Sequence, residues 1–172
     1  KIDFCLVGEP TNPNKLGEMI KIGRRGSITG ELTVIGNQGH VAYPHRANNP
    51  STTIIKILDE IKKIKFDKGT KDFQPTNLEV TKININNTAD NIIPGVARAT
   101  FNVRFNNKYS SSSLRNKLNK IFKRITKKDK SNFKIEYRVS GEAFLTKPNN
   151  TTYMIQNVIK NITKIKPQLS TT

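Results

Sequence analysis

The order of patterned segments between Ser27 and Val139 constrains this chain more than any single residue does. Ser27 to Ile35 alternates, with Ile28, Gly30, Leu32 and Val34 against Thr29, Glu31 and Thr33, the period-two mark of a half-buried strand. Asn49-Pro50 then opens a helix, since Asn caps well and Pro suits the first helical position. Ile54, Ile57, Leu58, Ile61 and Ile64 carry that helix to about Lys65. Asn77 to Ile85 and Ala97 to Phe105 read as strands. The serines at 110–113 start a second helix with Leu114, Leu118, Ile121, Phe122 and Ile125 on one face, and Phe133 to Val139 alternates again. Strand–helix–strand–strand–helix–strand predicts the split βαβ sandwich, a four-stranded antiparallel sheet with two helices on one face. Phe101, Val103 and Phe105 should lie under the helices, leaving Arg98, Thr100, Asn102 and Arg104 on the open face.

The flanks do not belong to that unit. Ile2 to Val7 is nearly continuous in apolar residues, as in a strand covered on both faces, which would bury Cys5. Glu18 to Gly23 reads as a further strand, followed by a Gly23-Arg24-Arg25-Gly26 turn. A last helix over about Thr151 to Ile165 has Met154, Ile155, Val158, Ile159 and Ile162 as a core-facing stripe. The simplest arrangement is an α/β protein in which residues 27–140 form a domain inserted between two fragments, 1–26 and 141–172, of a second domain. Gly26 and Gly141 stand at the crossings as candidate hinges. Both ends of the chain read as cuts through a longer protein.

The net charge of +17 invites a nucleic-acid partner. Lys, Asn and Ile are abundant together, however, and all three have A/T-rich codons, so base-composition bias explains the charge without a phosphate ligand. Lys127-Lys128-Asp129-Lys130 then reads as solvated loop charge. The split βαβ order is also that of RNA-binding sheets, but these present aromatic residues on the open face, where this chain has none. No apolar run approaches a membrane span, and no signal-peptide pattern opens the chain. A single cysteine excludes an internal disulfide framework and fits a cytoplasmic location.

Four residues stand out chemically. Glu9 directly follows the first apolar run, where open α/β sheets collect ligands. His40, beside Gly39 in a turn-rich loop from Gly36 to Asn49, could donate to a developing oxyanion. Arg104 could hold a carboxylate in bidentate fashion. His45 has no comparable framing and reads as structural. Each alone is ordinary, and the chain has no zinc-helix His pair, Cys-x-x-Cys pair or glycine-rich phosphate loop.

Their framing is not ordinary. Val7-Gly8-Glu9-Pro10-Thr11 comes first, then Lys15 to Ser27 containing Gly-Arg-Arg-Gly-Ser, then Gln38-Gly39-His40-Val41-Ala42-Tyr43-Pro44-His45. Asn91-Ile92-Ile93-Pro94-Gly95, Phe101-Asn102-Val103-Arg104-Phe105, Ser140-Gly141 with Phe144-Leu145-Thr146, and Leu169-Ser170-Thr171-Thr172 follow. In this order, and over essentially the whole chain, the segments resemble the aminoacylase/carboxypeptidase family of two-zinc peptidases. Within it they resemble the members that remove a succinyl group from diaminopimelate.

The resemblance implies zinc-dependent hydrolysis of N-succinyl-LL-2,6-diaminopimelate to succinate and LL-2,6-diaminopimelate, in lysine and diaminopimelate biosynthesis. It implies two zinc ions, with cobalt as a substitute, Glu9 as a carboxylate ligand of one of them, and a homodimer formed through the inserted domain. His40 would stabilise the tetrahedral oxyanion in the partner subunit's site. Lys21, Arg24, Ser27, Tyr43, Asn91 and Arg104 would hold the carboxylates of a small dicarboxylate substrate. Neither nucleic acid nor membrane is implied. The family's His-x-Asp motif, bridging Asp, Glu-Glu pair and last His ligand have no counterpart in this sequence, so these 172 residues alone should be inactive and bind zinc poorly. Asp90 and Glu142-Ala143 depart from the family pattern. The other readings are a related two-zinc N-acyl amino acid hydrolase, or a dimerisation or basic RNA-binding module without chemistry.

Overall fold

The structure is a computed structural model that describes residues 4–10 and 12–171. The strands are β1 (Met19–Arg24), β2 (Gly26–Ile35), β3 (Gly39–His40), β4 (Asn77–Asn84), β5 (Ile92–Ile93), β6 (Val96–Phe105), β7 (Asn132–Gly141), β8 (Phe144–Leu145) and β9 (Gln168–Thr171). The helices are α1 (Pro50–Lys62), α2 (Ser111–Lys128) and α3 (Asn150–Thr163), with a 3-10 turn at Pro44–Arg46. The chain divides into two compact units, Arg25–Ala143 and the pair of segments Lys1–Arg24 and Phe144–Thr172.

In the Arg25–Ala143 unit, β4-β6-β2-β7 form one antiparallel sheet, the α/β split βαβ arrangement expected from the pattern. Helices α1 and α2 cover one face, packing on β6 and β7 and on each other. Alternation does the sorting: Ala97, Ala99, Phe101, Val103 and Phe105 point under the helices with Ile28, Leu32 and Val34, whereas Arg98 and Arg104 are exposed. Phe101, Phe105 and Phe122 are fully buried, each contributing about 2–3 kcal/mol by burial. Burial of these rings removes the stacking platform that an RNA-binding sheet needs. Asn49 caps α1 by accepting from the Ser51 amide, and Ser110 and Ser113 form a capping box on α2. Glu142 adds to that helix start, its carboxylate accepting from the Ser111 amide at 3.1 Å.

The expected Arg24-Arg25 turn is absent. Only Arg25 separates β1 from β2, and it is not part of a turn. Gly26 has a packing reason to be glycine: a Cβ would lie 2.2 Å from the Phe105 ring.

In the other unit, β1 pairs in parallel with β9 and antiparallel with β8, two short strands that the sequence pattern did not reveal. Two expectations fail here. Phe4 to Val7 is not a strand, and Phe4, Leu6 and Val7 are 62%, 68% and 66% exposed, as is Cys5. A strand covered on both faces needs neighbours, and the described residues supply none for this run. The Ile2 end of that run lies outside the described residues, as do Thr11 and Thr172. The expected five-residue stripe of α3 also fails as a core face: Met154, Val158 and Ile162 are exposed and only Ile155 and Ile159 are half-buried, while Thr152 and Gln156 are buried. The amide of Gln156 donates to the Pro167 carbonyl at 2.7 Å and ties the helix to the strand after it.

Candidate functional site

The loop between β2 and α1 is a closed structure with a narrow neck. Asn37 and Asn48 exchange two backbone hydrogen bonds of 2.9 Å, and the Gly36 amide donates to the Gly95 carbonyl at 2.9 Å. Further out, β3 pairs with β5, setting His40 opposite Ile92, and the Val41 amide donates to the Asn91 carbonyl at 3.0 Å. The Tyr43 amide then closes a turn onto the His40 carbonyl at 2.9 Å. Residues 40–46 are all exposed. Polar contacts, not burial, hold this tip.

The imidazole of His40 is oriented from within the loop. The Ala42 amide donates to Nδ1 at 3.1 Å. In the neutral ring a nitrogen that accepts cannot carry the proton, so the hydrogen sits on Nε2 and faces outward as a donor. The Tyr43 ring lies 5.9 Å from that of His40, with His45 edge-on to Tyr43 at 6.3 Å and the Arg46 guanidinium 5.4 Å from its centre. His40, Tyr43 and Asn91 therefore belong to one exposed cluster. His45, expected to be structural, packs against Tyr43 within it.

Ser27 and Arg104 form a second pair, directly opposite each other in the β2–β6 ladder. Asn102 sits one row along, and its Nδ2 donates to Ser27 Oγ at 3.2 Å and Thr29 Oγ1 at 3.0 Å. Arg104 is exposed, whereas Ser27 is only 4% exposed beneath its neighbours. Arg25 bonds Pro75 O and Asn77 Oδ1, and burial, with the Arg104 charge, lowers its tendency to hold a proton. This pair sits at the Gly26 end of β2, while the His40 loop leaves from the Ile35 end. Eight strand residues separate the two, about 25 Å along the sheet.

The remaining expected residues lie in the other unit. Lys21 on β1 is engaged locally, its Nζ donating to Ser170 Oγ at 3.3 Å and Thr171 O at 3.0 Å. Arg24 is exposed at the end of β1, opposite Phe144. Glu9 is exposed in the irregular segment after Val7. Among the described residues no three His, Cys, Asp or Glu side chains come together to hold a metal ion. One carboxylate is fewer than the three protein ligands that a catalytic zinc needs, so the described residues do not by themselves make a zinc site.

Sequence reasoning missed several polar anchors. Asp129 is not a solvated loop charge: its carboxylate holds the Lys56 ammonium at 2.8 Å and accepts from the Thr53 hydroxyl at 3.1 Å. Its only signal is being a lone acid in a lysine run. Asn48 and Asn102 gave none, because their partners are more than 70 residues away.

Residues 22–130, well over half of the chain, match the peptidase dimerisation domain of the M20 peptidases. The chain is 88% identical, over all 172 residues, to a succinyl-diaminopimelate desuccinylase of Pelagibacter ubique. It is 49% identical over 171 residues to one of Parvibaculum lavamentivorans, and 45% identical over 171 residues to one of Rickettsia bellii. It spans 45%, 43% and 44% of the length of those proteins. Its fold matches aminopeptidase PepT from Bacillus cereus with a TM-score of 0.70 at 13% identity, over 90% of this chain and 40% of that one. It also matches an amidase of the hydantoinase/carbamoylase family from Burkholderia multivorans, with a TM-score of 0.66 at 13% identity, over 89% of this chain and 36% of that one. From Lys21 and Arg24 through the His40 loop to Arg104, the candidate residues therefore lie in or beside a matched domain, and the chain belongs to the peptidase dimerisation domain family.

Proposed function

We propose that this chain is part of a succinyl-diaminopimelate desuccinylase, hydrolysing N-succinyl-LL-2,6-diaminopimelate to succinate and LL-2,6-diaminopimelate. The substrate assignment is supported by the names of relatives 45–88% identical over nearly the whole chain. The reaction belongs to lysine and diaminopimelate synthesis, and a small substrate with three carboxylates suits the cytoplasm. No described helix is long and apolar enough to cross a membrane.

The division of labour rests chiefly on one observation: the His40 loop and the Ser27–Arg104 pair stand at opposite ends of β2. A small substrate needing both groups is best served by two copies of the chain, with His40 reaching the site of its partner. There, the outward Nε2 hydrogen would meet the oxygen of the tetrahedral intermediate, a donor fixed before charge develops. Ser27, Arg104, Lys21, Arg24, Tyr43 and Asn91 would hold the succinyl and diaminopimelate carboxylates. Ser27 needs its neighbours to part before it touches ligand. Glu9 would lend one carboxylate to a pair of zinc ions, whose other ligands are not found among the described residues.

The Arg25–Ala143 unit is the inserted dimerisation domain in this reading. The edge strand β4 and the adjoining face of α1 suit a second copy, since Ile55 and Ile83 are 62% and 60% exposed beside Val80. An open edge with exposed isoleucines is otherwise an aggregation hazard. Succinate release by the full-length protein, with zinc present, tests the assignment. Release from N-succinyl-LL-2,6-diaminopimelate, and not from other N-acyl amino acids, supports it; the reverse preference points to a different acyl substrate.

A further inference from the structure

Both amide hydrogens and the oxygen of the Asn48 carboxamide are engaged. Its Nδ2 donates to the carbonyl oxygens of Asp129 at 2.8 Å and Lys130 at 2.7 Å, while Oδ1 accepts from the Ser131 hydroxyl at 3.1 Å. Two carbonyls facing the nitrogen fix which way round the amide sits. They belong to the end of α2, where carbonyls lack intrahelical partners and Lys130 turns to a φ of 52°. The Asp129 carboxylate meanwhile grips Lys56 and Thr53. The C-terminal end of α2 and the first turns of α1 thus form one polar knot, and Asn48 is its link to the loop.

A short chain of contacts runs from that knot to His40. The backbone of Asn48 closes the loop neck against Asn37. Its neighbour Ala47 packs so tightly on Gly39 that a Cβ there would lie 2.7 Å from the Ala47 Cβ. Gly39 immediately precedes His40. Because residues 40–46 are exposed, the loop has no apolar burial of its own to fix the ring, and these anchors carry that task. Misplacement of a reacting group by about 1 Å can cost on the order of a hundredfold in rate.

We propose that Asn48 is a positioning residue for His40, holding the loop neck to the C-terminal end of α2 so that the imidazole keeps its place and its Nε2–H form. This rests on the oxyanion role of His40 given above. Asp in place of Asn48 keeps the shape, but it cannot donate and turns a carboxylate toward two carbonyls.

In the full-length protein, Asn48→Asp is expected to lower kcat about tenfold while KM changes less than about threefold. The 15N spectrum of the His40 ring should move from the Nε2–H form to a mixture of tautomers. In a His40→Ala background the same substitution should cause no further loss. Ser131→Ala, which removes one of the bonds to Asn48, should give a smaller change in the same direction and serves if Asn48→Asp does not fold. An equal tenfold loss in the His40→Ala background, or an unchanged ring spectrum, overturns the proposal. If His40→Ala alone leaves kcat at the wild-type value, the oxyanion role has failed, and the ring spectrum still decides whether Asn48 sets His40.

Discussion

The amide of Ala42 donates to Nδ1 of His40 across 3.1 Å, and that bond leaves the other ring nitrogen as an outward donor. A loop histidine with this tautomer set by its own backbone is prepared to stabilise negative charge, not to accept a proton. His40→Ala in the full-length protein should lower kcat by about a hundredfold to a thousandfold with little change in KM. His40→Gln, which keeps one donor, should lose less. Steady-state kinetics on the succinylated substrate checks both. A rise in KM with kcat intact would make His40 a binding residue instead.

Gly30 is required by packing. A Cβ there would lie 2.3 Å from the Phe101 ring, which is fully buried between sheet and helices. Gly30→Ala should destabilise the Arg25–Ala143 unit by about 1–3 kcal/mol, the usual cost of overfilling a core. Phe101→Leu alone should also destabilise, yet the double substitution should cost less than the sum of the two. Chemical unfolding of the four proteins gives the coupling directly.

Asp67 gives this unit an acid-sensitive joint. Burial raises its pKa, but bonds from Thr76, the Gly69 amide and Asn106 outweigh that and hold the carboxyl below its ordinary range. Its folded pKa is depressed, so the stability it adds is present above the unfolded value of about 3.9 and is lost as pH falls through the folded one. Asp67→Asn should cost about 1–3 kcal/mol at pH 7, because a hydrogen-bonded charge is removed. The difference from wild type should shrink as the solution is acidified. Unfolding curves at pH 7 and below pH 4 check the sign, and a gap that widens in acid would contradict it.

The β4 edge should govern assembly. Ile83→Lys places a charge where two copies would meet and should convert a dimer to a monomer, with a loss of affinity of about a hundredfold or more. Sedimentation velocity over a concentration series reads this. A charge reversal on the open side of β7, Lys134→Glu, should leave the assembly alone.

Much of this was legible in the sequence because alternation and helical spacing are local. Phe101, Val103 and Phe105 declared one face and Arg104 the other, and Asn49-Pro50 and the serines at 110–113 marked the helix starts. What failed depends on neighbours. The apolar run at Phe4 to Val7 and the outer stripe of α3 have the composition of buried elements, but nothing among the described residues covers them. The short strands β5, β8 and β9 exist only through partners far along the chain, so two to four residues carried no period to read. The site divides likewise. His40 and Arg104 stand out by their framing in the sequence, whereas Asn48, Asp129 and Asn102 act through partners 73 to 83 residues away.

The most direct test of a trans-acting His40 is subunit mixing. Full-length His40→Ala and Glu9→Ala proteins, each expected to be inactive alone, are unfolded, mixed in equal amounts and refolded into dimers. If His40 serves the partner's site, each hybrid has one intact site, and the statistical mixture should regain about a quarter of wild-type activity. If His40 serves its own subunit, no hybrid site is intact. Hybrid dimers that form and yet release no succinate would contradict the assignment.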